Sequence, residues 1–227
     1  MFLFPEQTAV NRVLPKAKIY DRARPTKAVR ALFVSELDQI VWKHKLAPDT
    51  FHLDPAEGVA EIQVFELHLR GPELSTRVLE TIDRTIPYPV FYRLCSQNRV
   101  QHAAAYKRPA QDGSAKWVIG EYYRTPWHPA DSTPPQPLPL ALNLKSLYDQ
   151  MLRAFIALPA RDGEPLAELV ERESRLRQLQ RQLKQLENKL AAEKQFNRKV
   201  AINAELRRLT AELNGLLASL SDQPYGN

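Results

Sequence analysis

Apolar and polar positions alternate in two distinct ways along this chain. From Leu166 to Leu220 the pattern is helical: Leu176, Leu179, Leu183, Leu186 and Leu190 step by three and four residues, the spacing that keeps an apolar seam on one side of a helix. Such a seam has to be covered by a partner helix. Its register is not uniform, because Glu193 and Asn197 fall where the next seam residues belong, and a second seam through Leu206, Leu209, Leu213, Leu216 and Leu220 is offset by two positions. Two arrangements fit. Either one helix runs for roughly 80 Å with a local register shift, or the chain reverses near Gln195–Asn197 and its halves pack as an antiparallel hairpin.

Before residue 160 the pattern is that of a head with strands. An irregular, proline-punctuated stretch reaches Pro25, after which Thr26 is an N-cap for a helix over Lys27–Glu36. Gln39–Leu46 alternates as a half-buried strand. Ala60–Arg70 is the clearest strand, with Ile62, Val64, Glu66 and His68 on one face and Glu61, Gln63, Phe65, Leu67 and Leu69 on the other. Both faces mix polar and apolar residues, which predicts cover on both sides. A helix over Leu74–Ile86 follows, with Ser75 near its start, and then a meander of three strands, Val90–Leu94, Val100–Tyr106 and Lys116–Tyr123. A proline-rich connection, 126–139, leads to a helix over Leu142–Leu158. The expected fold is α+β: a head over residues 1–160 with one mixed sheet, and a helical coiled-coil or hairpin stalk over 164–221.

With 227 residues at 44% hydrophobic, the chain can bury a sizeable core, and no apolar run approaches the roughly 20 residues of a membrane span. The apolar start, Met1–Phe4, stops at Pro5–Glu6 without the features of a signal peptide, so a cytoplasmic setting is expected. Cys95 is the single cysteine, which excludes an intramolecular disulfide and reads as a small buried hydrophobe. The formal net charge of +6 makes nucleic acid a candidate partner, with Arg175, Arg181, Lys184, Lys189, Arg198 and Lys199 forming a candidate phosphate-tracking stripe on the stalk. A charged helix is more often a solvated face.

The chain carries no Gly-rich phosphate loop, no G-x-S-x-G elbow and no H-E-x-x-H. Its five histidines lack metal-ligand spacing, so neither metal nor cofactor is expected. One constellation remains: Asp38, Glu61 and Gln63, with Glu66 and His68 beyond. Metal-dependent nucleases gather carboxylates from adjacent strands around a divalent cation and commonly add a lysine two residues after the second acid. Gln63 stands at that lysine position, so this is a degenerate version of the motif, weighed against a strand that merely carries surface Glu and Gln.

The segments Leu14–Tyr20, Leu46–Thr50, Glu61–Glu66, Ile82–Val90 and Ala105–Arg108, together with Phe196–Val200, resemble a bacterial family known as domain of unknown function 4391. The resemblance covers nearly the whole chain. It implies a setting beside DNA methyltransferases and helicases of restriction or phage-defence type, and it assigns no catalytic residue. Two functions follow as expectations. The first is a non-catalytic accessory subunit that assembles with a protein partner or itself through the stalk leucines Leu176, Leu179, Leu183, Leu186, Leu190, Leu206, Leu209 and Leu213, with DNA as a further candidate partner for the basic stripe. The second is a degenerate nuclease using Asp38 and Glu61.

Overall fold

The prolines at the start of the chain frame more regular structure than the sequence predicts. In the computed structural model, which describes residues 2–110, 117–132 and 134–218, a short strand β1 (Phe2–Leu3) and a 3-10 turn (Glu6–Thr8) lead into β2 (Ala9–Val13). Helix α1 (Lys16–Ala23) then fits between Pro15, which needs no N–H at a helix start, and Arg24, whose φ of 45° ends the helix in the left-handed region. Only Ile19 of α1 is buried, too little periodicity to be read from sequence. Lys16 fixes the helix in place: its Nζ donates to the carbonyls of Phe33, at 2.8 Å, and of Leu37. Those carbonyls lie at the end of α2 (Lys27–Glu36), whose first turn is capped by Thr26 Oγ1 accepting from Val29 N.

Strand β3 (Leu37–Leu46), a short helix α3 (Pro48–Phe51) and β4 (Ile62–Leu69) follow, then α4 (Thr76–Asp83), which Ser75 caps through its hydroxyl. The meander is β5 (Val90–Ser96), β6 (Arg99–Pro109) and β7 (Trp117–Arg124). Its expected third strand began at Lys116, which lies outside the described residues. The proline-rich connection contributes β8 (His128–Pro129) and β9 (Gln136–Pro137), before α5 (Leu144–Arg153), capped by Asn143.

These strands make a mixed seven-stranded sheet in the order β2-β3-β4-β5-β6-β7, with β8 paired to β6. Neighbours in it are antiparallel except β4 and β5, which run parallel with α4 as their crossover. Strand β1 pairs separately with β9. The odd-numbered residues of β4, Phe65 and Leu67, pack with Ile19, Val29, Phe33, Val78 and Ile82 from α1, α2 and α4. On the opposite face Phe91 meets Tyr148 and Phe155, in and just beyond α5. Both faces of β4 are therefore covered, as its mixed alternation predicts.

The chain divides into two compact units, Met1–Ile156 and Ala157–Asn227. In the second, α6 (Leu166–Ala192) and α7 (Phe196–Ala218) are separate helices. Arg175 bonds Glu212 across 37 positions of sequence, so the helices run antiparallel and the chain reverses between them. No Gly or Pro makes the turn. Instead the Glu193 carboxylate accepts from the backbone N–H groups of Lys194 and Gln195, at 2.8 and 2.9 Å, satisfying donors at the start of α7. Of the two arrangements open from sequence, the hairpin is the one adopted. Among the described residues no helix is long and apolar enough to cross a membrane.

Candidate functional site

Gln63 at the start of strand β4, with Glu61 just before the strand, lies on the face that α1 covers, and a cleft of about 580 Å³ opens there. Its walls come from three places: Lys18 and Arg22 on α1, Trp42 on β3, and the turn from Thr85 to Tyr88 that links α4 to β5. Trp42 lies nearly parallel to Phe65, with ring centroids 6.4 Å apart. Gln63 is only 4% exposed; its Nε2 donates to Glu61 Oε2 at 2.6 Å, while its Oε1 has no hydrogen-bond partner. Glu61 also lies 3.7 Å from Lys45 Nζ. Three of the segments that carry the family resemblance, Leu14–Tyr20, Glu61–Glu66 and Ile82–Val90, meet around this cleft.

A second hollow of about 480 Å³ shares Arg22, Thr85, Ile86 and Pro87 with the first and reaches Asp83. Here the sheet buries a charge pair. Lys107 Nζ lies 3.2 Å from Asp83 Oδ1 and donates to the carbonyls of Asp83, at 3.0 Å, and Ile86, at 2.7 Å. The Tyr122 hydroxyl donates to the other Asp83 oxygen. Burial raises the pKa of Asp83 and lowers that of Lys107, and their mutual attraction opposes both shifts. Structurally, the ammonium clamps the turn after α4 from beneath, and that turn is a wall of the cleft.

The structure separates the two carboxylates of the nuclease motif. Leu37 pairs with Leu69 and Leu46 with Ile62, so roughly 25 Å of ladder, at about 3.3 Å per residue, lies between Asp38 and Glu61. Asp38 instead bonds Arg70 at 2.6 Å, with both side chains more than half exposed. Glu61 and Gln63 do share a site, but Gln63 and Lys45 engage the carboxylate. Glu66 and His68 are on the other face of the sheet. There Glu66 bonds Arg93, at 2.5 Å, and His68, at 3.0 Å, and with Cys95 it forms a group whose ligand-type atoms lie within 4.8 Å of one another. Burial disfavours the Glu66 carboxylate, but Arg93, Lys43 and His68 outweigh it and hold its pKa below the usual range. Burial pushes the Cys95 thiol up to about 11. His102, with its ring centroid 5.6 Å from that of His128, is held down to about 3, first by burial and then by neighbouring charge that includes His128 and Arg93.

The sequence marks Lys18 and Arg22 only as part of a basic stretch near the N-terminus, and Lys18, Asp83, Tyr88 and Lys107 only as members of the segments that carry the family resemblance, with no site role for any of them. Those roles come from tertiary pairing, which nothing local signals. In the hairpin, Leu179 and Leu209 are buried, while Leu176, Leu183, Leu186, Leu190, Leu206 and Leu213 are half-buried. The seam that required a partner finds one in α7 of its own chain. Half of the basic stripe is paired with carboxylates: Arg175 with Glu212, Lys184 with Glu187 and Arg198 with Glu193. Lys189 and Lys199 are exposed, and Arg181 takes part in a contact of its own.

No curated protein and no solved structure matches the chain. The sequence model of one family matches residues 2–213, nearly the whole of both units, and the protein therefore belongs to the family described as a domain of unknown function, DUF4391.

Proposed function

We propose that the protein is a non-catalytic accessory subunit of a bacterial DNA restriction-modification or phage-defence system, and that it docks on a methyltransferase or helicase partner through the turn end of its helical hairpin. The observation that supports this reading is the turn itself. Phe196 is 77% exposed and Val200 52%, and their spacing of four places them on one face of α7. Large apolar side chains held in water mark interaction surfaces, and an aromatic anchor ringed by polar groups is the usual chemistry of a binding hot spot. Lys194, Arg198 and Lys199 surround this pair and are exposed, a rim that suits an acidic partner surface. Because α7 covers the leucine seam, the turn end is the part of the hairpin that offers large exposed apolar side chains to a partner.

The test is co-expression with a DNA methyltransferase and with a helicase of restriction or phage-defence type, followed by size-exclusion chromatography with light scattering. A stable complex is expected, and Phe196→Glu with Val200→Glu should abolish it while helix content by circular dichroism stays unchanged. A complex indifferent to that double change sinks the proposal. A mixed-sequence duplex at low and high salt is the companion measurement: tight binding by the chain alone, falling steeply with salt, would move the contact from protein to phosphate.

A further inference from the structure

The buried amide of Gln63 is the most informative group in the head cleft. Exchanging its oxygen and nitrogen would not satisfy it, because the Glu61 carboxylate 2.6 Å away accepts only from an N–H. The oxygen therefore remains an acceptor without a donor, next to a nitrogen that has one hydrogen left after bonding Glu61. An acceptor and a donor side by side on one plane match the N6 amine and N7 of adenine. Trp42, half-buried and nearly parallel to Phe65, supplies a flat aromatic wall of the kind on which bases stack. At the mouth, Lys18 and Arg22 are exposed and four residues apart on one face of α1, positioned for an anionic group, with Asp21 between them tempering the charge. The volume, about 580 Å³, lies in the range of small-molecule sites.

We infer that this cleft is a binding pocket for an adenine nucleotide, with Gln63 reading the base and Lys18 and Arg22 holding the phosphate. The cleft and the hairpin turn share no residue, so failure here and failure of partner docking are read independently.

Isothermal titration of the full chain with AMP tests it, with adenosine, inorganic phosphate, GMP and a short oligo(dA) as parallel arms. AMP should bind at least tenfold more tightly than GMP, whose O6 would face the Gln63 oxygen, and more tightly than adenosine or phosphate alone. Oligo(dA) weaker than AMP identifies a free nucleotide as the source; the reverse identifies an unpaired base in a strand, read by the same pocket. Gln63→Met keeps volume while removing the amide and should cost AMP at least tenfold. If that variant does not fold, Lys18→Ala with Arg22→Ala, both on the surface, should reduce AMP affinity to that of adenosine. AMP binding equal to that of phosphate or GMP, or unmoved by the variants that fold, overturns the inference.

Discussion

The head and the hairpin handle charge in opposite ways. The head has its share of surface pairs, Lys45 with Asp49 and Asp38 with Arg70 among them, but its best-buried pairs join residues far apart in sequence: Lys107 and Asp83 are 24 positions apart and their side chains have no exposure, and Glu66, 27 positions from Arg93, is 12% exposed. In the hairpin most pairs join residues one helical turn apart at the surface, such as Lys184 with Glu187 and Arg208 with Glu205. A charge in low dielectric is costly unless its partner is present, whereas a screened surface pair contributes little. The head therefore depends on a few irreplaceable contacts. The hairpin spreads its stability over many replaceable ones and leaves its surface open to change.

The largest break in this comparison is expected at Asp83. Asp83→Ala strands the Lys107 ammonium inside the sheet and should cost the head about 3–5 kcal/mol in denaturant unfolding, whereas Asp83→Leu combined with Lys107→Met should recover most of that loss. A double variant as unstable as the single one would mean that the pair serves more than charge compensation. Next comes the seam. Leu179→Ala should cost about 2–4 kcal/mol, and Leu186→Ala, at a half-buried position, clearly less. Equal losses, measured by thermal unfolding, would contradict the burial gradient along the hairpin.

The smallest effect sharpens the contrast, because Glu164 is the hairpin unit's exception. Its carboxylate accepts from Arg172 Nε and Nη2, both at 2.7 Å, with both side chains nearly buried. The Arg172 hydrogen bonds, above all, hold its pKa down to about 2. A depressed acid stabilises the fold fully above its unfolded pKa of about 4.3, and that stability is lost as pH falls through about 2. Glu164→Gln should thus cost about 1.5 kcal/mol at pH 7, a penalty that narrows between pH 4.5 and roughly 2. A penalty independent of pH would assign the residue a packing role instead.

What was legible in the sequence follows the same division. Helices α2 and α4 were readable because Thr26 and Ser75 act on backbone groups two or three residues away. The leucine seam was readable for the same reason, but the choice between one long helix and a hairpin stayed open, since the reversal is made by the Glu193 side chain and carries no glycine or proline. Helix α1 stayed hidden because its flanking prolines resemble a loop and it buries a single residue. At the site, Glu61 and Gln63 were visible as near neighbours on a strand. Asp38 misled, because at the start of β3 it lies opposite the far end of β4 from Glu61, and that register is set by tertiary pairing. Lys107 sits at the end of an apolar run, and its role depends on a turn that arrives from the far side of α4.

One consequence of the parallel β4–β5 pairing concerns the order of assembly. Each of the other ladders in the sheet joins strands in an antiparallel arrangement, which divides it into two blocks, β2-β3-β4 and β5-β6-β7, that meet only through β4 and β5. Strand β5 turns directly into β6 through Gln97–Asn98, whereas β4 reaches β5 only across residues 70–89 and the crossover helix they hold, so the union of the two blocks is expected to follow the β5–β6 pairing. Gln63 belongs to one block, and the turn from Thr85 to Tyr88 leads into the other, its Pro89 carbonyl accepting from Gln63 N at 2.9 Å. The cleft does not exist in either block alone. A molecule that occupies it binds only the finished head and holds the two blocks together by mass action, which would slow unfolding in proportion to its concentration above Kd.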